Sequence, residues 1–442
     1  MSTPLQPWSE ANFGSLLRQL IGPRALGRMA RQHRPSAAGA PAKLTAFWLV
    51  AGLVFHVLQT CGLLSTHILQ ITGKRLSDSA LSERRQTLGA DFFQGLLDRV
   101  LTRIAQAALH PRAFYHGLLL VGLDGTTWSV SNTPPIKASV KKTRSRRRSA
   151  AFYKLSMAAL YELGTHNPLA GRIGVTGESE MELATTLLPC LRKDWLLLAD
   201  RYYGLAKFVC ALLALPQAMH FLLRVRKNLN SRVIQRLGDG SCLVEVRDRT
   251  SRQRLRLREI HARVRRRSGH WVSVRLWTNL LDPKRYPAVE LVALYGVRWE
   301  QECAYKELKI HLRRSPLLLS HTLVTAAQEV ACLVLAQALV ARVRLTVAEA
   351  HTPILQISFI RTLDLFRSLW SIAPAFADLL PAKARPILLR RLERLLAQQS
   401  SPPRRNRSCP RALRQPVSKW PRLLNNCTTK GVFQFVITRG CL

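Results

Sequence analysis

The stretch GLLLVGLDGTTWSV, residues 117–130, is where the hydropathy pattern of this chain changes. Upstream of it, from about residue 10 to residue 110, apolar residues recur at spacings of three and four, which predicts helices. The stretch itself is a short apolar run with the turn-forming pair Asp-Gly behind it, and it predicts a buried β-strand. The chain therefore changes here from a helical to a strand-like pattern.

Four segments continue the new pattern downstream of that strand. Residues 154–164 and 168–175 predict two more strands, residues 179–191 have helical spacing, and residues 194–201 predict another buried strand. The order strand, strand, strand, helix, strand is typical of a mixed α/β layer. We therefore predict an α/β fold with a mixed sheet flanked by helices.

Further changes in pattern divide the rest of the chain. From about residue 233 to 279 the alternation is β-like and rich in polar residues, which predicts an all-β insertion. Helical periodicity resumes at residue 287 and continues to about residue 398, and a Pro- and Arg-rich tail follows. The predicted regions are an N-terminal helical domain (1–112), the α/β domain (113–320) with its insertion at about 230–282, a helical C-terminal region (321–400) and a basic tail (401–442).

The charge balance indicates a polyanionic partner. The chain has 67 Lys and Arg against 26 Asp and Glu, a formal net charge of +41 over 442 residues. Such a field fits nucleic acid best, and an N-terminal helical domain in a chain of this charge is expected to bind DNA. An anionic membrane is the alternative, but the basic residues are spread through the chain and do not cluster beside one apolar span.

The compartment is predicted to be the cytoplasm. The N-terminus has no signal-peptide pattern. Polar residues interrupt the two longest apolar runs, 44–64 and 323–343, so both predict buried helices and no membrane association. Nine cysteines, an odd number without a C-x-x-C pair, predict neither a zinc knuckle nor a disulfide framework.

Three acidic residues stand out by position. Asp124 and Asp200 each end an apolar strand-like run, and strand ends in α/β sheets are where sites tend to form. The third, Glu302, lies in YGVRWEQECAYKELK, residues 295–309. At about 100° per residue in a helix, Tyr295, Arg298, Glu302 and Lys309 fall within roughly 60° of arc, whereas Glu300 and Glu307 point elsewhere.

These residues make chemical sense for phosphodiester cleavage. Carboxylate oxygens are the ligands that Mg²⁺ or Mn²⁺ prefers, and two such ions can activate an attacking oxygen and stabilise the leaving one. Arg298 and Lys309 would offer charge to a phosphate, and Tyr295 a hydroxyl. Plain alternatives exist: a turn residue or helix cap for Asp124, a surface ion pair with Arg201 for Asp200, and an i,i+4 pair with Arg298 for Glu302.

The motif also resembles that of a known family. Tyr295, Arg298, Glu302 and Lys309 fit Y-x2-R-x3-E-x6-K, the motif of insertion-sequence transposases of the IS-four type. LDGTTWSVSNTP (123–134), LLLADRYYG (196–204) and TNLLDPKRYPAVELVALYGVRWE (278–300) are similar to the family's blocks around the two Asp residues and before the Glu. Tyr202 and Asn132 depart from the usual Gly and Asp, and residues 427–442 resemble nothing in the family.

The resemblance implies a fold, a site and an activity. The fold would be a ribonuclease-H-like catalytic domain in residues 113–320, with the all-β insertion between the second Asp and the Glu. The site would be a D-D-E triad of Asp124, Asp200 and Glu302, the ligands of two Mg²⁺ or Mn²⁺ ions. The activity would be transposition: cleavage at the transposon end exposes a 3′-OH, which attacks target DNA.

The resemblance also implies partners and a location. The partners would be double-stranded DNA, as terminal inverted repeats and target, and a second copy of the chain in a synaptic dimer. The location would be the bacterial cytoplasm, on the nucleoid when the protein is bound to DNA. Two alternatives stay open: a ribonuclease-H-like nuclease or resolvase, and a basic DNA-binding protein without catalysis.

Basic segments predict how DNA would be held. KKTRSRRR, residues 141–148, has six basic residues in eight and predicts a phosphate-tracking loop. In the insertion, Arg263, Arg265, Arg266 and Arg267 predict backbone contacts. Trp271 and Trp277 are either core residues or platforms for an unpaired base. The loop residues proposed to contact DNA are Lys141, Lys142, Arg144, Arg146, Arg147 and Arg148.

Overall fold

A computed structural model describes most of the chain. The described residues are 23–32, 44–59, 62–142, 150–217, 219–226, 228–248, 251–265, 269, 271–313, 315–348, 353–365, 367–368 and a few isolated positions beyond. Several predictions fall outside this set: the helix expected at 11–22 and the contacts expected of Arg144, Arg146, Arg147, Arg148, Arg266 and Arg267.

The chain forms two compact units. The first comprises Met1–Leu191 and Trp299–Ser400, and the second comprises Arg192–Arg298 and Ser401–Leu442. Both contain strands and helices, so the predicted mixed α/β class is confirmed.

The strands of the first unit pair in an antiparallel sheet in the order β4-β3-β2, and β1 pairs with the start of β2. The strands are β1 (Phe114–Tyr115), β2 (Leu118–Val130), β3 (Tyr153–Glu162) and β4 (Pro168–Ile173). The three longer ones lie where apolar runs predict them. The helices of the first unit up to Leu191 are α1 (Pro23–Gln32), α2 (Ala46–Leu58), α3 (Leu64–Thr72), α4 (Asp78–Val100), α5 (Pro134–Ser139) and α6 (Glu180–Thr186).

The core of the first unit is built around one long apolar helix, Leu323–Ala348. It packs against α2 and α4, and its residues Val330, Val334 and Leu335 are almost completely buried. Of the described helices, this one alone is long and apolar enough to cross a membrane, but 89% of its most apolar window is buried within the protein. The prediction of a buried core helix is confirmed.

The predicted helix end near residue 110 is wrong, because α4 stops at Val100. The next residues are held in a non-helical path by distant groups. The buried Glu162 carboxylate accepts the backbone N–H groups of Ile104 and Ala105 at 2.7 and 3.2 Å, and Asn167 donates to the Thr102 carbonyl at 3.0 Å. Tertiary hydrogen bonds thus override the local helical pattern.

The second unit is a mixed sheet. β5 (Trp195–Ala199) pairs in parallel with β6 (His220–Arg224), and antiparallel neighbours follow in the order β6-β10-β9-β8-β7. The remaining elements are β7 (Arg232–Arg236), β8 (Cys242–Arg247), β9 (Arg254–Arg265), β10 (Trp271–Thr278), α7 (Ala206–Leu213) and α8 (Ala288–Tyr295). The strands predicted between residues 233 and 279 are therefore present. From the predicted tail, Phe435–Ile437 pairs with residues 262–264 of β9.

A buried arginine ties this sheet to the approach to α8. Arg258 on β9 is fully buried and donates to the carbonyls of Leu280 and Tyr286 at 3.0 and 2.7 Å. The guanidinium of Arg258 also pairs with Asp239, and Asp239 accepts the N–H of Ala288 at the start of α8. The buried charge is thus neutralised and hydrogen-bonded, as a buried guanidinium requires.

Candidate active site

Asp124 lies within a strand and not at its end. β2 continues six residues beyond it to Val130, with Asp124 opposite Ala159 of β3. The prediction of a strand end, and the alternatives of a turn residue or a helix cap, are therefore wrong. Burial of the strand ends at Asp124. Residues 119–123 are buried, and residues 124–127 are partly or fully exposed. Its Oδ1 accepts the N–H of Gly125 at 2.9 Å, which orients the carboxylate.

Asp200 lies directly after β5, as predicted. Its Oδ1 accepts the N–H of Tyr202 at 2.7 Å and closes an Asx turn. The turn is anchored by Tyr203, which is fully buried. A Cβ at Gly204 would collide with the carbonyl oxygen of Arg224 on β6, so this turn packs as it does only with glycine there.

The stretch that carries Glu302 is not one continuous α-helix, so the predicted arc at 100° per residue is wrong. A 3₁₀ turn at Gly296–Arg298 follows α8, α9 then spans Trp299–Lys306, and a π-helical turn covers Glu307–Leu312. Both kinds of turn advance by a different angle per residue from an α-helix. The boundary between the two units also falls after Arg298. Glu302 lies on α9 and is half-buried.

Within the first unit, α9 packs against β2, so the elements that carry Glu302 and Asp124 are neighbours. The approach is close, because a Cβ at Gly122 would collide with the Gln301 side chain. The Tyr305 hydroxyl donates to the carbonyl of Asp124 at 2.5 Å. Burial raises the pKa of Tyr305 well above its ordinary value, and the charges of Tyr161, Asp124 and Glu180 act in the same direction. Tyr305 therefore stays protonated and can keep this bond.

Lys309 reaches the same strand from the π-helical turn. Its ammonium donates to Thr126 Oγ1 and to the Thr127 carbonyl, both at 2.9 Å. Burial lowers the pKa of Lys309, and the charges of Arg313 and Lys154 add to the effect. The lysine is thus held two to three residues beyond Asp124 in a region of positive potential.

Three other residues predicted to contact DNA, Tyr295, Lys141 and Lys142, differ in their exposure and hydrogen bonds. The Tyr295 hydroxyl donates to the Ala199 carbonyl at 3.3 Å, next to Asp200, and burial raises the pKa of this tyrosine to about 12 although Arg298 opposes the rise. Lys142 donates to the Ala151 carbonyl at 2.9 Å, and Lys141 is exposed.

The two tryptophans of the insertion have different surroundings. Trp277 is fully buried and donates its indole N–H to Glu259, so it is a core residue and not a stacking platform. Trp271 is 40% exposed, and the guanidinium of Arg263 lies 5.7 Å from its ring centroid. Of the two predicted platforms, Trp271 alone presents a face to solvent.

A cationic cavity of about 590 Å³ opens in the second unit. Its polar lining is dominated by five arginines, with one histidine beside them: Arg201, Arg224, Arg226, Arg263, Arg275 and His261. The sequence marks Arg263 as a DNA contact, but it gives no sign that arginines from β6 and from the turn after Asp200 share a cavity with it. Guanidinium groups bind phosphates through paired hydrogen bonds, so this cavity fits an anionic ligand.

The three predicted acids fit a hard divalent cation by their chemistry, since they offer only carboxylate oxygens. Backbone N–H groups orient two of them, Asp124 and Asp200. Across the part of the chain that the structure describes, no three His, Cys, Asp or Glu side chains are grouped closely enough to hold a metal ion. The fit therefore rests on the donor chemistry.

Sequence reasoning missed two residues beside these acids. Tyr305 bonds to Asp124 across 181 positions of sequence, and His166 bonds to Glu300 across 134. Neither has a local sequence signal, because the partners meet only when β2, β3 and α9 pack together.

Comparison with known proteins agrees with the motif. Residues 116–337, a range that includes Asp124, Asp200 and Glu302, match the family model described as Transposase DDE domain. The protein named Transposase InsG for insertion sequence element IS4, from Escherichia coli (strain K12), is 28% identical over 392 residues, which is 85% of this chain and 85% of that protein. The cryo-EM structure of the piggyBac transposase synaptic complex with hairpin DNA covers 92% of this chain and 88% of that one, with a TM-score of 0.39 and 11% identity, too low to bear on the fold.

The mixed α/β architecture and the matched domain define the class, a DNA transposase of the DDE type. The chain belongs to the Transposase DDE domain family, and its relative from the element IS4 places it with the IS4 insertion-sequence transposases. The resemblance drawn from the motif is thereby confirmed. Membership of this family also implies dependence on a divalent metal.

Proposed function

We propose that this transposase cuts and joins DNA with Asp124, Asp200 and Glu302 as its D-D-E triad, in a ribonuclease-H-like catalytic domain. The observation that carries the proposal is the match to the DDE domain over residues 116–337, which contains all three acids, together with the half-buried position of each. Each acid lies where a buried element meets solvent, so it can reach a substrate while the element holds its backbone.

The three carboxylates would hold two Mg²⁺ or Mn²⁺ ions, which when bound supply Lewis-acid stabilisation of the attacking and leaving oxygens. The chain's own groups fix the positions. The N–H groups of Gly125 and Tyr202 orient Asp124 and Asp200, and the Tyr305 hydroxyl ties α9 to the Asp124 carbonyl. Such supporting bonds are what keep a catalytic carboxylate in place.

Basic groups would bind the DNA backbone. Lys309 is held against β2 beside Asp124, and the arginine-lined cavity lies beside Asp200, since Arg201 lines it. Tyr295, Arg298, Lys141 and Lys142 stay proposed contacts, with the Tyr295 hydroxyl also supporting the backbone before Asp200. The partners are the element's terminal repeats, the target DNA and a second copy of the chain in the bacterial cytoplasm.

The test is cleavage of supercoiled plasmid that carries the DNA flanking the gene, with and without Mg²⁺. We expect Asp124→Asn, Asp200→Asn and Glu302→Gln each to lower the cleavage rate at least 10³-fold, because removing one ligand from a metal pair removes most of its charge stabilisation. Binding of the same DNA in a gel-shift assay should change less than about threefold. The matched control is Asp194→Asn, at the opposite end of β5 from Asp200, which should cleave like the wild type.

The outcomes separate the alternatives. Near-normal cleavage by any one of the three variants would remove that residue from the triad. DNA binding without any Mg²⁺-dependent nicking would favour a non-catalytic DNA-binding protein, and cleavage without joining of ends to a target plasmid would favour a nuclease or resolvase.

A further inference from the structure

The segment 295–309 contains three glutamates, and only Glu302 is assigned to chemistry. The other two, Glu300 and Glu307, share one partner, His166. Its Nε2 lies 2.8 Å from Glu300 Oε2 and its Nδ1 lies 2.9 Å from Glu307 Oε1, although the second contact is poorly aligned for a straight hydrogen bond. The His166 side chain is 1% exposed. One buried imidazole thus bridges two carboxylates that lie on either side of Glu302 in sequence.

The imidazole is held rigidly from its own side. His166 lies in the turn between β3 and β4 with a φ of 60°, in the left-handed region where residues other than glycine are uncommon. Its N–H donates to the Glu162 carbonyl at 2.9 Å, and the neighbouring Asn167 side chain donates to the Thr102 carbonyl. A strained backbone persists only where its surroundings fix it.

The helix side of the contact is fixed as well. Arg344 donates to Glu307 Oε1 at 3.3 Å and to the Ile357 and Ile354 carbonyls at 3.0 and 3.2 Å. The carboxylates of Glu300 and Glu307 are then paired with one guanidinium and one imidazole. The group is neutral when both nitrogens of the imidazole are protonated. Burial lowers the pKa of His166, but the nearby Glu307 and Glu300 carboxylates favour the charged imidazole, outweigh burial and raise the pKa. Charges can be buried where opposite charges neutralise them, as they do in this group.

We propose that His166 is a positioning residue that holds α9 through Glu300 and the following π-helical turn through Glu307, and so fixes the place of the Glu302 carboxylate. The proposal rests on the assignment of Glu302 as a metal ligand. The proposal also explains why a chain with a net charge of +41 has three glutamates in one short segment. Glu302 would bind the metal, and Glu300 and Glu307 would hold the segment against His166.

The test variant is His166→Asn. Asparagine tolerates the left-handed region, so the turn can keep its backbone, but its side chain is too short to bridge the two carboxylates. The matched control is His116→Asn, because His116 also has a positive φ, of 46°, in the exposed turn between β1 and β2. Glu300→Gln serves as a second, milder variant, since glutamine keeps the size and an acceptor but loses the charge.

Two measurements are needed. Hydrogen exchange of peptides covering residues 299–312 should become at least tenfold faster in His166→Asn, while peptides from the core helix 323–345 stay unchanged. The Mg²⁺ concentration for half-maximal cleavage should rise about tenfold, as for other groups that support a metal ligand, with DNA affinity unchanged. Glu300→Gln should shift both quantities in the same direction by a smaller factor, and His116→Asn should shift neither.

A normal Mg²⁺ requirement in His166→Asn would overturn the proposal, even if exchange became faster, because His166 would then only stabilise the fold. If His166→Asn does not fold, wild-type values of both quantities in Glu300→Gln would overturn it. Glu302→Gln in the same assay separates a failure of the positioning proposal from a failure of the proposed function. Wild-type cleavage by Glu302→Gln would overturn the proposed function itself.

Discussion

Glu259 is a buried carboxylate that is held in its charged form. It is 2% exposed on β9, and it accepts from Arg275 at 2.6 Å and from the Trp277 indole at 2.7 Å, with His261 at 2.6 Å on its other oxygen. Burial alone raises the pKa of Glu259, but these hydrogen bonds outweigh it and lower the pKa to about 2. The charge is therefore stabilised more in the folded than in the unfolded chain.

A pKa lowered in the folded state contributes stability above the unfolded value of about 4.3, and the contribution is lost as the pH falls toward the folded value of about 2. The contribution is about 3 kcal/mol. We predict that Glu259→Gln lowers the urea midpoint strongly at pH 6 and much less at pH 2.5. Glu245→Gln is the control, because Glu245 forms a 3.4 Å surface pair with Arg254 worth less than about 1 kcal/mol. Parallel pH profiles for wild type and Glu259→Gln would contradict the assignment.

The acids of the proposed triad could be selected from the sequence, because each has a local signal. Asp124 and Asp200 follow apolar runs, and Glu302 lies in a spaced motif. His166 could not, since nothing in the sequence around it shows that two glutamates more than 130 positions away will face it. Local patterns report burial and periodicity, whereas a partner set by packing leaves no local trace.

The turn after β5 depends on one close backbone approach. A side chain at Gly204 would meet the Arg224 carbonyl, and a backbone atom cannot move aside as a flexible side chain can. The same turn presents Asp200. A substitution at Gly204 should therefore affect both stability and the presentation of Asp200.

We predict that Gly204→Ala lowers the unfolding free energy by about 2 kcal/mol, the usual cost of overpacking. Gly238→Ala in the turn between β7 and β8 is the control within the same unit, because a Cβ there has no atom within 4 Å. That variant should be neutral or up to about 1 kcal/mol more stable. Urea unfolding followed by tryptophan fluorescence measures both, and equal stability of the two variants would rule out the close approach.

The main strands could be predicted, whereas helix ends and irregular turns could not. β2 to β5 and β7 to β10 lie where apolar runs or alternation predict them. The residues after α4 and the π-helical turn after α9 are held by groups distant in sequence, such as Glu162 and Arg344. The sequence is therefore informative about which segments are buried and less so about where tertiary bonds stop a helix.

Under the proposed function, the net charge of +41 and the D-D-E triad have complementary roles. The positive field would attract the phosphate backbone without regard to sequence, and the three carboxylates would supply the negative charge that divalent ions need. The signature motif spans both units, since Tyr295 and Arg298 belong to the second and Glu302 and Lys309 to the first. The proposed triad takes Asp124 and Glu302 from the first unit and Asp200 from the second.

The most direct test of the proposed triad maps the metal on the protein itself. Full-length protein bound to the flanking DNA is loaded with Fe²⁺ in place of Mg²⁺, and ascorbate and peroxide then cut the backbone near the bound ion. We expect cuts close to residues 124, 200 and 302, all suppressed by excess Mg²⁺ and all lost in Asp124→Asn. Cuts near only one or two of these positions, or cuts that Mg²⁺ does not suppress, would contradict the proposed triad.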